Sequence, residues 1–410
     1  MRASRESASR PLAPTVWVLA AVSFLTDVSA DMIYPLLPAF LSGTLGASAA
    51  FIGVIEGAAE STAALLKLAS GWWSDRVRRR KPLVVAGYGV AAVARPLVAL
   101  ATQGWHVLAI RLTDRVGKGV RSAPRDALIA DATDPRDRGR AYGMHRAADN
   151  AGAVAGPLLA FALLAAAVPE RTVFALAAVP GVLGVLLLAW RVTERGASGH
   201  ADASNVASPR ASAAPPTAAP NAPFAPGFPL TLTAVLVFTL GNSTDAFLLL
   251  RARDVGVPLA QLPLLWALFN GVKALASVPG GALSDRVGRR PVVLFGWALF
   301  AAVYAAFAVV RAPWQAWALF ALYGLTFGVT EGTEKALVAD LTPPARRGAA
   351  FGWYNAAVGL GALPASVLFG ILWTTADPTA AFGTGAALAL VASLLLALAP
   401  MPHPPAHGAR

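Results

Sequence analysis

The sequence has 410 residues, 56% of them hydrophobic and only 14% charged, with a mean hydropathy of +0.57. Soluble domains carry about 25% charged residues, so this is a membrane composition. The net charge of +12 does not point to nucleic acid, because Arg and Lys cluster in short loops between apolar stretches, and the absence of cysteine excludes disulfides and thiolate metal sites.

Residues 1–14 form a polar, basic tail, and the apolar stretch after it outruns the core of a signal peptide, so a retained first helix is expected. Crossing about 30 Å of hydrocarbon takes roughly 20 apolar residues. On that measure twelve spans are predicted, at 15–41, 49–73, 83–102, 105–130, 141–167, 171–191, 229–251, 260–283, 291–311, 314–338, 349–373 and 380–400. The basic loops follow even-numbered spans: Arg76, Arg78, Arg79, Arg80 and Lys81; Arg136, Arg138 and Arg140; Arg286, Arg289 and Arg290; Arg346 and Arg347. Positive-inside bias then places both termini, including the tail at 401–410, in the cytoplasm. Tryptophans 72, 73, 105, 314 and 317 fall near span ends, as interfacial anchors do.

Residues 192–228, rich in Ala, Pro and Ser, read as a disordered cytoplasmic linker between two six-helix bundles, 15–191 and 229–400. The bundles repeat. Ser74–Val77 (SDRV) recurs at Ser284–Val287, and Ala127–Gly143 overlies Ala336–Gly352 at a constant offset of 209 with 10 of 17 identities. FLTDVSAD, ending at Asp31, resembles FTLGNSTD, ending at Asp245. An even number of spans per half preserves orientation, so these are parallel repeats about an axis along the membrane normal. The predicted fold is an all-α integral membrane protein of twelve transmembrane helices in two such bundles.

Span four is the exception to the apolar pattern. Its middle carries Arg111, Asp114, Arg115, Lys118, Arg121, Arg125 and Asp126 within an arc of roughly 140° at about 100° per residue. A charge at the bilayer centre costs about 2.5–3.5 kcal/mol, so seven facing lipid would cost roughly 20 kcal/mol. This face must look into the protein or a water-filled path. Other intramembrane polar residues are Asp27, Asp31 and Tyr34 in span one, Glu56, Glu60 and Lys67 in span two, and His145, Arg146, Asp149 and Asn150 in span five. The second half is sparser: Asn242, Ser243 and Asp245, then Asn270 and Lys273, then Glu331, Glu334 and Lys335.

Gly281–Arg290 (GALSDRVGRR) resembles the loop motif of the major facilitator superfamily at every defined position. The first-half copy from Gly71 keeps Asp75, Arg76, Arg79 and Arg80 but has Trp73 for Leu and Arg78 for Gly. The resemblance covers essentially the whole chain and is closest to a prokaryotic branch. It implies a secondary transporter and a gating role for Asp75, Arg76, Asp285 and Arg286. Arg115 to Gly119 is similar to the family's Arg-x-x-x-Gly pattern, associated with proton coupling, although Arg121 departs from the small residues expected there. Gly152, Gly156 and Pro157 resemble the Gly-x-x-x-Gly-Pro motif associated with antiporters, with Ala160 and Phe161 in place of a trailing Gly pair. Small-residue helix packing with a proline kink accounts for the same residues.

The repeat exchanges charge at one position: Arg125-Asp126 corresponds to Glu334-Lys335. Cross-pairing of Arg125 with Glu334 and Asp126 with Lys335 would gate the cytoplasmic side; pairing within each half is the competing reading. Proton coupling calls for a group that titrates near neutral pH, such as a buried carboxyl or a histidine. Among Asp31, Glu56, Glu60, Asp149 and His145, the positions nearest mid-membrane are Asp31 and Glu60. The cations of span four either await an anionic substrate or are balanced by Asp27, Asp31, Glu56, Glu60 and Asp149, and the balance of charges favours the second.

The expected activity is proton-coupled export of a small organic compound by a monomer in the inner membrane. The alternatives are proton symport importing an organic anion, and a sensor without flux. No enzyme motif, cofactor site or nucleotide-binding Gly-x-x-x-x-Gly-Lys-Ser/Thr is present.

Overall fold

The computed structural model describes residues 12–74, 80–134, 137–192, 223–343 and 346–401. The described residues form twelve helical segments in chain order. In the first half these are α1 (Pro14–Thr44), α2 (Ala49–Ser74), α3 (Lys81–Leu100), α4 (Gly104–Asp131), α5 (Arg138–Ala165) and α6 (Glu170–Arg191). In the second half they are α7 (Phe228–Asp254), α8 (Leu262–Val287), α9 (Arg289–Val309), α10 (Pro313–Asp340), α11 (Arg347–Thr375) and α12 (Pro378–Leu398). Ten of them are long and apolar enough to cross a membrane; α4 and α10, the two charged members of the repeat, are not apolar enough. Most of the expected linker lies outside the described residues. Its last residues are packed: Ala225 N–H donates to the Leu341 carbonyl at 3.1 Å, and Phe224 stacks on Phe228 beneath Arg346.

Three segments are not the continuous helices that apolar length suggests. Regular helix in α1 ends at Ile33, just before Pro35, and resumes at Leu37. The last turns of α3, Arg95–Leu100, tighten into a 3₁₀ helix at Pro96. In α7 the helix stops at Gly241 and restarts at Ala246, leaving Asn242–Asp245 unwound. Non-helical backbone at membrane depth is tolerated where it is buried in protein or lines a cavity.

Glycines set how closely the helices approach. A Cβ built at Gly152 would stand 2.6 Å from the Phe24 carbonyl oxygen and 2.9 Å from the Asp27 Cβ, and one at Gly156 would meet the Val28 carbonyl at 2.6 Å. The antiporter-like motif of α5 therefore brings α1 to backbone contact and fixes where Asp27 stands. Between the halves, Gly53 and Gly57 of α2 press on Ser366 and Leu363 of α11, and Gly370 presses on Ala49 and Ala50.

The halves meet unevenly. At the end away from the Arg-rich loops, Leu36, Leu37, Phe40 and Leu41 share one buried core with Phe247, Leu248 and Leu249. At the basic end the first half keeps a separate core of Val16, Leu19, Val84, Tyr88, Ile129 and Leu188. There Gly348 and Gly352 of α11 face open space. The bundles are closed on each other at the far end and part toward the basic end.

Candidate functional site

Between the halves lies a cavity of about 410 Å³ to which α1, α2, α3, α4, α7 and α8 all contribute. Its wall carries six cations (Arg95, Arg111, Arg115, Lys118, Arg121, Lys273) and five carboxylates (Asp27, Asp31, Glu60, Asp114, Asp245). Glu56, 2% exposed, pairs with Arg111 from behind. The charged face of α4 thus looks into a nearly balanced protein interior.

The balance is made by specific pairs. Arg95 Nε donates to Asp114 Oδ1 at 2.8 Å, and its Nη1 donates to the Thr26 carbonyl at 2.7 Å. Arg115 lies 2.9 Å from Glu60 and 3.9 Å from Asp114. Arg111 also lies over the Tyr34 ring at 5.4 Å. Lys273 sits 2.8 Å from Glu331, which Lys335 approaches at 3.1 Å and Arg146 reaches across the halves at 3.9 Å.

Three carboxylates escape this pairing. Asp31 accepts the Trp266 indole N–H from the opposite half at 2.7 Å. Asp245, at the break in α7, accepts the Tyr323 hydroxyl at 2.6 Å. Asp27 makes no hydrogen bond or ion pair among the described residues. A band of rings, Tyr34–Trp266–Phe269–Tyr323, runs along this side with centroid separations of 4.8, 4.8 and 5.1 Å.

Other expected site residues lie off the cavity wall. His145 is 3.5 Å from Asp149, which also accepts from Ser23, so these two form a buried cluster where α5 packs on α1. Asn270 donates to the Trp266 carbonyl at 3.0 Å, and the buried Asn242 Oδ1 in the α7 break has no hydrogen-bond partner among the described residues. Pro157 is buried inside α5 beside Gly156.

Of the two pairings open for Arg125-Asp126 and Glu334-Lys335, this conformation has the one within each half and not the cross-gate. Arg125 turns to its neighbour Asp126 at 2.8 Å, Glu334 accepts from the Trp297 indole at 2.7 Å and the Tyr354 hydroxyl at 3.1 Å, and Lys335 goes to Glu331. Each group finds a nearer partner in its own half. Asp75 and Arg76 lie outside the described residues. In the second copy Asp285 pairs with Arg289, which is also 3.6 Å from Asp340, while Arg286 is exposed. Arg80 pairs with Asp131, so the same tie recurs at the repeat offset of 209.

Sequence reasoning missed Arg95, Trp266 and Tyr323. Arg95 had a visible signal, a single cation inside the apolar run VAAVARPLVAL. The two aromatics had none.

The sequence profile of the Major Facilitator Superfamily matches residues 19–249 and 230–410. The chain belongs to this superfamily. It is 32% identical over 398 residues to the MFS-type transporter MJ1317 of Methanocaldococcus jannaschii, covering 94% of this chain and 95% of the relative. A multidrug resistance protein, MdtH of Edwardsiella ictaluri, is 31% identical over 134 residues, a third of each chain. Among solved structures, a POT family transporter in complex with 5-aminolevulinic acid superposes with a TM-score of 0.76 at 11% identity, covering 94% of this chain and 96% of that one. This superfamily member is accordingly a multi-pass membrane transporter of small molecules and not an enzyme. Its two halves are the superfamily's repeated bundles.

Proposed function

We propose that the chain exports a small organic compound in exchange for protons, working by alternating access as a monomer in the cytoplasmic membrane. Twelve spans with both termini in the cytoplasm go with this reading, on the strength of the basic loops. Export is supported by the Gly152–Pro157 motif and by the likeness to a multidrug resistance protein over a third of the chain.

The observation that carries the coupling is the setting of Asp31. It lines the cavity, and its partner is a neutral indole on the opposite half, with no cation within ion-pair distance among the described residues. It can therefore gain or lose a proton without stranding a partner charge, and the change is felt directly at a contact between the bundles. Glu60, the other mid-membrane candidate, is tied to Arg115 at 2.9 Å, and protonating it would leave that buried guanidinium only the more distant Asp114, which Arg95 already holds. Asp31 is the proton site on this reading, and Glu60 is structural.

The test is a flux screen with the full chain in proteoliposomes, using labelled organic cations, anions and neutral compounds under imposed pH gradients of either sign. Solute is expected to move opposite to the protons. Asp31→Asn should abolish gradient-driven accumulation while leaving solute exchange at equal pH. Solute moving together with protons, or full gradient drive in Asp31→Asn, overturns the proposal.

A further inference from the structure

Two cations of α4 remain outside the pairing scheme. Among the described residues Lys118 and Arg121 have no carboxylate within 4 Å, whereas the other four cations of the cavity wall each have one. Arg121 is 4% exposed, and its Nε and Nη1 have no hydrogen-bond acceptor among the described residues. Its guanidinium lies over the Tyr88 ring at 4.2 Å. A ring face offsets part of the cost of burying a guanidinium but supplies no acceptor for its N–H groups.

The arrangement is built in. A Cβ at Gly87 would stand 2.7 Å from the Arg121 Cβ, so α3 approaches α4 closely enough to set Tyr88 under the guanidinium. Lys118, one turn back on the same helix face, is exposed to the cavity. Asp27 faces the same space but lies beyond ion-pair reach of both. The Tyr34 and Trp266 rings, 4.8 Å apart, line the same cavity.

We infer that Arg121 and Lys118 form an anion subsite, and that the transported compound carries an oxyanion, such as a carboxylate, on an apolar aromatic body. The planar guanidinium takes a carboxylate through paired N–H donors, and the lysine adds a mobile point charge at the cavity side. The body then lies against the Tyr34–Trp266 rings. This inference rests on the cavity being the transport site, and equilibrium binding tests it independently of proton coupling.

The probes are 2-naphthoate, 2-naphthamide and 2-naphthylmethylammonium, titrated calorimetrically into the purified full chain in detergent. Naphthoate is expected to bind, with the amide and the ammonium weaker by about tenfold or more. Arg121→Gln and Lys118→Gln should each weaken naphthoate about tenfold and leave the amide unchanged. If Arg121→Gln fails to fold, the cavity-exposed Lys118→Gln carries the test. No naphthoate binding, equal binding of the three probes, or wild-type naphthoate affinity in the folded variants overturns the subsite. A selective naphthoate site in a protein whose fluxes ignore pH gradients would uphold the subsite and overturn only the coupling.

Discussion

Removing Arg95 probes the charge network where it is most buried. Arg95 and Asp114 are 7% and 3% exposed, and the pair is closed at 2.8 Å. Arg95→Met keeps the unbranched apolar stem without the guanidinium and leaves Asp114 with Arg115, 3.9 Å away, as its remaining ion-pair partner among the described residues. Breaking one side of a buried pair costs about 3–5 kcal/mol. The residual Arg115 contact holds Arg95→Met near the lower end, about 3 kcal/mol. Asp114→Asn should cost more, because it leaves the buried Arg95 with neutral acceptors and no counter-charge within ion-pair distance among the described residues, and loosens Arg115 as well. In the double variant neither charge is left unanswered, so its cost should fall below the sum of the singles by about 1–3 kcal/mol. Denaturation of the purified protein in detergent micelles, followed by circular dichroism, measures all three. A cost below about 1 kcal/mol for Arg95→Met, or strictly additive variants, would refute the reasoning, since surface pairs behave that way.

Three further substitutions separate tight packing, a shared carboxylate and surface charge. Gly57→Leu places a side chain where even a Cβ would stand 2.9 Å from the Leu363 Cα and 3.0 Å from the Ser366 Cβ, so α2 and α11 must part. The expected loss is about 1–3 kcal/mol, and spin-label distances, introduced on a chain with no native cysteine, should lengthen across that seam. Glu331→Gln leaves Lys273, Lys335 and Arg146 without their shared carboxylate and should lower thermal stability markedly. Arg146→Gln removes a side chain that is 65% exposed and should cost under about 1 kcal/mol, an effect that added salt erases.

The architecture was legible because membrane folding writes much of itself in one dimension. Apolar length marked the helices, basic loops marked one end of the bundle, and the offset of 209 related the halves closely enough that the Arg80–Asp131 tie recurs as Arg289–Asp340. Ten of the charged intramembrane residues read from the sequence line the cavity, since a charge in an apolar helix has few other places to go. Partner choice was not legible. Glu60 is as central as Asp31 along its helix, and only the crossing of α2 with α4 puts Arg115 beside one and leaves the other to an indole. The sign exchange between Arg125-Asp126 and Glu334-Lys335 suggested a cross-gate, but Trp297 and Tyr354 hold Glu334 within its own bundle. Neither aromatic advertises itself by composition. Arg95 did, by the same cost that drew attention to α4.

The charges of α4 now divide by what they can do during a transport cycle. Asp114, Arg111 and Arg115 are closed into pairs within the first bundle, so a rigid-body rocking of the halves leaves them intact. Lys118 and Arg121 face a cavity closed at the far end, where Leu37 and Leu248 share one core, and parted at the basic end. Closing the basic end would strip that space of water, and an unanswered cation grows more costly as solvent leaves. On the proposed reading two groups would answer them: Asp27, which lines the same cavity, or the oxyanion of a bound compound. An empty carrier would then close with Asp27 turned toward the cations, and a loaded one with the substrate in that place. Asp31 would meanwhile report the proton to the opposite bundle through Trp266. Substrate occupancy and proton occupancy then act on different residues of one cavity, one turn of α1 apart, which is why the Asp31→Asn flux measurement and the Arg121→Gln binding measurement can fail separately.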